Sequence, residues 1–334
     1  MYKVAISIGD TNGIGAEIAI KSHAHIQKYC APIYCVHEEL LESIAKKLGV
    51  DLPKDMHCAP PNAPIPAIKV GEVSEDSGRY SYESFLQACK LADEKVAHLI
   101  TTLPIHKLAW KRAGVEAIGH TQALRARYQK DGIMMLGCEE MFVALFSDHI
   151  PLSSVSSLIT KDSFSKFLLN FYHCARERNI AVLGLNPHCG DGGIMGEEDA
   201  IIAESIKQAN EILGEKIFIG PISGDSAFSP LQRQRFRYFV APYHDLGLSA
   251  LKALYFFESI NITLNIPILR TSVDHGVGFD IAYQNLANTQ SYINAILLGI
   301  KLKEKQWKKT KTKTKQPKQT TKKSSTTKKA ISKP

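Results

Sequence analysis

The stretch VAISIGDTNGIGAEIAIKSHAHIQKYCAPIYCV, residues 4–36, reads as strand, glycine-bearing turn, helix and strand. VAISI and PIYCV are short apolar runs, whereas EIAIKSHAHIQK between them repeats its apolar residues three and four apart. Two strands joined by a helix form the repeating unit of an α/β sheet with parallel strands. The alternation continues outward from this unit. HLITTL, MFVALF, IAVLGL, KIFIG and RYFVAP read as further strands, and SYESFLQACKLADEKV, KDSFSKFLLNFYHCARER and DAIIAESIKQANEIL as amphipathic helices. With 334 residues, 44% of them hydrophobic, the chain is long enough for one large or two ordinary domains.

The turn IGDTNGIGAE, residues 8–17, spaces its glycines as GxxxGxG. That is neither the dinucleotide fingerprint GxGxxG nor a phosphate loop ending in Gly-Lys-Ser/Thr. Such a turn can present backbone amides and a helix N-terminus to an anion, and it can equally be a tight connection with no ligand.

The net charge of +8 suggests an acidic partner such as nucleic acid, until the charge is located. Residues 301–334 hold 14 lysines and one acid, Glu304, for a net of +13; the other 300 residues carry 27 bases against 32 acids, a net of −5. The segment 301–334 is built of Lys, Thr, Ser and Gln and is expected to be a disordered Lys-rich tail, because it has little apolar surface to offset its ordering entropy. Nucleic-acid contact by the tail is the less favoured reading, and a solubilising extension the favoured one. The apolar runs stay strand-length, far below the roughly 18 residues of a membrane helix. MYKVAISIGD lacks the pattern of a secretory leader. The seven cysteines include no CxxC pair, which fits reduced thiols. A cytoplasmic protein without membrane contact is expected.

Three histidines each follow a strand-like run: His149 after MFVALFSD, His188 after AVLGLNP and His244 after YFVAPY. In open α/β sheets ligands bind beyond the carboxyl ends of strands, so these imidazoles are expected to converge. Three neutral imidazoles suit a divalent ion with an open position for substrate. Asp148 and Asp245 beside them are candidates to orient the rings. LNPHCGDGGIMGEED, residues 185–199, surrounds His188 with Pro and Gly and then starts a helix with Glu197, Glu198 and Asp199. Such acids need no ligand, since a first helical turn favours them anyway. Lys252, Asn261 and Arg270 punctuate an otherwise apolar run, and a cleft-facing Lys and Arg point to phosphate or carboxylate.

These residues also carry a resemblance. GDTNGIGAE, TLPIHK (102–107), GHTQ (119–122), SDHIP (147–151), LNPHCGDGG, GPISGDSAF (220–228), YHDLGL, NITLNIPILRTSVDHG and FDIAYQNLAN occur in this order over residues 1–300. The chain resembles the 4-hydroxythreonine-4-phosphate dehydrogenase family of pyridoxal phosphate biosynthesis. VDHGVGFDIAYQNLAN is in addition similar to the HGxxxDIA stretch of isocitrate and isopropylmalate dehydrogenases. The resemblance implies an isocitrate/isopropylmalate dehydrogenase-like two-lobed α/β fold with a cleft between lobes. Its cofactor-binding lobe would comprise 1–118 and 246–300, and its central lobe, with dimer interface and metal ligands, 119–245. It implies NAD-dependent oxidation of 4-phosphooxy-L-threonine, a phosphorylated amino acid, followed by decarboxylation to 3-amino-2-oxopropyl phosphate. The implied metal ligands are His149, His188 and His244, holding one zinc, cobalt or magnesium ion per subunit. Substrate contacts fall on His120, Thr121, Lys252, Asn261 and Arg270; cofactor contacts for NAD, or NADP, on His275, Gly276, Asp280 and Asn288. Asp245 and Lys252 are the acid/base candidates. The implied assembly is a homodimer whose active site draws on both subunits. The sequence departs from the family pattern at Thr11, Asn12, Ala16, Ser223, Gly224 and Tyr283. The alternatives are a paralogous dehydrogenase of another phosphorylated hydroxy acid and, from another class, a nucleic-acid-associated protein acting through its tail.

Overall fold

The computed structural model describes residues 1–314, and in them eleven strands form one continuous sheet. In chain order these are β1 (Tyr2–Ser7), β2 (Cys30–Cys35), β3 (His57–Cys58), β4 (Leu99–Thr102), β5 (Ile133–Gly137), β6 (Phe142–Leu145), β7 (Ile180–Leu183), β8 (Phe218–Ile222), β9 (Tyr238–Ala241), β10 (Ile260–Leu264) and β11 (Arg270–Ser272). Across the sheet they lie in the order β3-β2-β1-β4-β11-β10-β5-β6-β9-β7-β8. The opening strand–helix–strand unit forms as expected, with β1 parallel to β2 and the helix Gly15–Ile26 between them burying Ile18, Ala19 and Ile26.

The sheet is not parallel throughout, which corrects the sequence expectation. β3, β2, β1, β4 and β11 form one parallel arm, and β6, β9, β7 and β8 another. Between them the pairs β11/β10, β10/β5 and β5/β6 are antiparallel, so the two arms point in opposite directions. Chain length explains two of these pairs. Four residues join β5 to β6 and five join β10 to β11, and links that short permit only antiparallel pairing. Gly137 at the first turn has φ 151°, and a Cβ there would meet the Met141 carbonyl oxygen at 2.1 Å.

In the glycine turn after β1 the amides of residues 12–14 are taken up within the chain. The amide of Asn12 donates to Asp10 Oδ1 at 3.0 Å, that of Gly13 to the Asp10 carbonyl at 3.1 Å and that of Ile14 to the Val277 carbonyl at 3.0 Å. The Asn12 side chain bridges the Glu72 carbonyl, Ser74 Oγ and the Lys69 amide. The turn is a tight connection that ties the 69–74 and 277 segments to β1. All seven cysteines are free thiols.

A second difference from the sequence expectation concerns residues 301–314. The last helix runs from Gln290 to Thr314, through the expected boundary. It buries Tyr292, Ala295 and Ile296 against the sheet, Leu302 packs on the main core, Lys301 pairs with Glu139, and Lys305 with Glu177 at 3.2 Å. The rest of the expected tail, 315–334, lies outside the described residues. It carries seven lysines and no acid. A chain ending at Thr314, with its charge reduced from +8 to +1, should keep the full-length denaturant midpoint. One ending at Ile300 should lose about 1–2 kcal/mol through the Leu302 contact and the two ion pairs. Equal stability of the two truncations in urea would show that the helix contributes nothing beyond Ile300.

Candidate functional site

A cleft of about 610 Å³ crosses the antiparallel middle of the sheet. Register builds its floor. Thr263 stands opposite Arg270 and Met134, Asn261 opposite Ser272 and Leu136, and Ser272 opposite Thr102. Because side chains alternate along strands, Asn261, Thr263, Arg270, Ser272 and Thr102 share one face. Of these, Asn261, Arg270 and Ser272 line the cleft, with Met134 from β5. Its walls come from His120 and Thr121, the segments after β4 and β11, and Asp148 and His149 after β6.

Arg270 is 3% exposed. Its guanidinium donates to Thr102 Oγ1 (2.8 and 3.1 Å), Thr263 Oγ1 (3.2 Å) and Asn261 Oδ1 (3.4 Å). All of these acceptors are neutral. Burial pushes its pKa down to about 9, which leaves it protonated at neutral pH. A buried cation among neutral partners at the floor of a cleft is built to receive an anion. His120 begins the helix His120–Tyr128, its ring edge-on to Phe85 and Trp110 (centroids 5.0 and 5.2 Å), and its buried Nε2 has no partner in the chain. Burial, then the positive charge of Arg270, hold the imidazole well below its ordinary pKa, so it is neutral. Thr121 follows it into the cleft.

His149 and His244 come together, with ring centroids 5.6 Å apart. The cause is topological: both follow the carboxyl ends of the adjacent parallel strands β6 and β9. Their loops are stitched by the Phe146 amide donating to the Ala241 carbonyl (2.9 Å) and Ser147 Oγ to the Pro242 carbonyl (2.7 Å). Asp245 Oδ1 lies 2.7 Å from His244 Nδ1 and orients that ring, whereas Asp148 Oδ1 accepts from the His149 backbone amide at 2.9 Å. Burial raises the Asp148 pKa, but its hydrogen bond and charge pairing with Arg125 outweigh that and hold it below the usual carboxylate range.

His188 does not join them. β7 neighbours β9, yet the turn Pro187–Gly193 carries the imidazole away, and the residue is exposed. Among the described residues no three His, Cys, Asp or Glu side chains gather into a metal-holding group. The convergence expected within one chain is therefore met by two imidazoles, which fit part of a divalent site, and not by the third. The acids after this loop are structural. Asp199 accepts from the Leu185 and Asn186 amides at 2.8 and 3.0 Å, and Glu198 from Asn186 Nδ2 at 2.8 Å.

Lys252, on the helix His244–Tyr255, donates to the Asp274 carboxylate and carbonyl, and Ser259 Oγ donates to the same carboxylate at 2.7 Å. Asp245 is 84% exposed beyond its contact with His244. Of the cofactor candidates, His275 and Gly276 line both the cleft and a second, adjoining cavity, and Asn288 lines that cavity. Asp280 lines neither, and its residue is exposed. Sequence reasoning gave no role to Thr102, Thr263 and Asp274, which hold Arg270 and Lys252, or to Arg125 and Lys107 at the cleft wall. For Thr102, Lys107 and Asp274 the signal lay in TLPIHK and TSVDHG, where polar residues interrupt strand ends.

The family profile described as pyridoxal phosphate biosynthetic protein PdxA matches residues 28–299. The chain is 50% identical over 303 residues to a protein of Sulfurimonas denitrificans named 4-hydroxythreonine-4-phosphate dehydrogenase, covering 91% of this chain and 98% of that one. It is 49% identical over 299 residues to one of the same name from Helicobacter pylori strain J99, covering 88% and 97%. The crystal structure of 4-hydroxythreonine-4-phosphate dehydrogenase from Klebsiella pneumoniae superposes with a TM-score of 0.78 at 28% identity, covering 91% of this chain and all of that one.

Two outcomes follow from the buried groups. Inorganic phosphate should raise the thermal midpoint of the protein by linkage, and Arg270→Met should abolish that rise without destabilising the free protein, because it removes a buried cation. A marked loss of midpoint in phosphate-free buffer would mean that the hydroxyls already satisfy the charge. His120 has a folded pKa below its unfolded value of about 6.5, so the unfolded chain takes up the proton first and stability falls as pH drops through that value. Urea midpoints between pH 7 and 5 should decline less in His120→Gln; parallel profiles would refute the neutral imidazole.

Proposed function

This chain belongs to the family of the pyridoxal phosphate biosynthetic protein PdxA, and from that premise we propose that it oxidises 4-phosphooxy-L-threonine with a nicotinamide cofactor. It is a dehydrogenase, and the buried Arg270 in the cleft is the observation that best supports a phosphorylated acid as substrate. The C3 hydroxyl loses its proton, the C3 hydride passes to NAD, and the carbonyl product is 2-amino-3-oxo-4-phosphooxybutanoate. That β-keto acid loses carbon dioxide; protonation of the resulting enolate carbon gives 3-amino-2-oxopropyl phosphate.

The chain's own groups divide this work. Arg270 and Lys252 receive the anionic groups by charge-assisted hydrogen bonds. Neutral His120, with Thr121 and Asn261, orients the substrate's polar atoms and keeps one conformer facing the cofactor. Lys252, whose ammonium donates to Asp274, serves as a cationic donor, and Asp245 as the group that fixes the His244 ring. A divalent ion held by His149 and His244 would supply Lewis acidity toward the hydroxyl and the developing enolate; zinc fits the imidazoles best, with cobalt or magnesium as alternatives. The third ligand is His188 of a second copy in a homodimer. Supporting this, His188 sits on an exposed loop beside Ile194, 83% exposed, and Met195. His275, Gly276 and Asn288 would contact the cofactor, with Asp280 at the ribose favouring NAD over NADP. The lobes are residues 1–118 with 246–300, holding β1–β4, β10 and β11, and 119–245, holding β5–β9. Among the described residues no helix is long and apolar enough to cross a membrane, and a cytoplasmic address accompanies the reading.

Formation of NADH from 4-phosphooxy-L-threonine, followed by absorbance, should be abolished by a chelator and reduced about 10²-fold or more by His149→Ala. His149→Ala and His188→Ala, each inactive, should recover about a quarter of wild-type activity after mixing and subunit exchange, since half the dimers then carry one intact site. No turnover by metal-loaded wild type would refute the reaction, and no recovery would refute the shared site.

A further inference from the structure

The reaction cleft shares Arg125, Asp148 and Ile150 with a neighbouring cavity of about 430 Å³. Phe146 and Ser147 are anchored to the segment after β9, but beyond them the stretch that carries His149 borders open space on both sides. Packing alone does not fix it. Charge-assisted hydrogen bonds do. Arg125 stands four residues after Thr121 on the helix His120–Tyr128, so the two share one face, and both line the cleft. Its Nη1 and Nη2 donate to Asp148 Oδ1 and Oδ2 at 3.3 and 2.7 Å, and its Nε and Nη2 to the Gly132 carbonyl at 2.9 and 2.6 Å. The Asp148 side chain is 10% exposed, and its Oδ1 in turn accepts from the His149 amide. The guanidinium therefore ties together the helix bearing His120 and Thr121, the residue before β5, and the segment bearing His149. Among the described residues no other hydrogen bond joins that helix to residues 146–151. A planar fork with two acceptors fixes direction as well as distance.

We propose that Arg125 is a positioning residue for the reaction, a role resting on the dehydrogenase reading above. Through Asp148 it fixes His149 relative to His120 and Thr121, and so sets the distance between the imidazole pair and the groups that orient the substrate. A displacement of about 1 Å between such groups lowers a rate by about 10²-fold.

Steady-state kinetics of the full chain, with cobalt titration followed by visible absorbance, test this. Arg125→Gln should lower kcat about tenfold or more, leave KM for 4-phosphooxy-L-threonine unchanged, and weaken cobalt binding about 10- to 100-fold. Arg125→Lys keeps the charge and guards against a misfolded variant. It should fall between wild type and Arg125→Gln in both readouts, since an ammonium cannot serve Asp148 and the Gly132 carbonyl in one plane. Asp148→Asn should repeat the loss, and the double variant should lose no more than the worse single variant, because the two residues act as one unit. Losses that multiply, or wild-type kcat and cobalt affinity in folded Arg125→Gln, overturn the positioning role and leave the dehydrogenase reading intact. A wild-type chain that binds cobalt without oxidising the substrate overturns that reading, and the cobalt titration then decides the positioning role by itself.

Discussion

The site depends on a cation that the fold buries without a counter-charge. Arg270 is fixed by hydroxyls and an amide from β4 and β10, strands that flank its own. Holding it there requires β10 and β11 to pair in one register, because a slip of one residue turns every side chain to the other face. The hairpin between them sets that register. The antiparallel centre of the sheet is therefore the part of the fold that creates the need for a ligand, and the parallel arms carry the loops that surround it.

Much of this was legible in the chain. The strand–helix–strand alternation gave the α/β class, and the strand-end rule correctly paired His149 with His244. Within one chain His188 stands apart from that pair, because a strand end fixes only where a loop starts and the geometry of residues 187–193 then decides where the side chain goes. β11 escaped a reading based on apolar runs for a different reason. β11 is Arg-Thr-Ser, wholly buried, so the strand that carries the chemistry has the least strand-like composition. The helix continues past 301 with Leu302 on the core, a placing that lysine-rich composition hides. The glycine turn looked like an anion site because its pattern fixes the backbone shape but not which acceptors its amides meet.

The division of labour follows from direction. One arm delivers the segments after β4 and β11, and the other, running the opposite way, delivers those after β6 and β9. The segments after β4, β11 and β6 line the same cleft from opposite sides of a common antiparallel floor, and the one after β9 sets His244 beside His149. The buried Arg270 belongs to the first arm and the imidazole pair to the second, so a change in packing between β10 and β5 alters the distance between the two without altering either one.

The loop bearing His188 has one more consequence. Residues 188–192 all have positive φ, from 42° at Asp191 to 77° at Gly190, and three of them, His188, Cys189 and Asp191, are not glycine. Five successive left-handed residues form a short mirror image of an ordinary helical turn, at about 1–2 kcal/mol for each side chain present. Read as stereochemistry, the segment is a place where the chain behaves as though built from the opposite enantiomer. D-amino acids at 189 and 191 would fit it more comfortably than the natural residues, whereas β-branched L-residues there would unwind it.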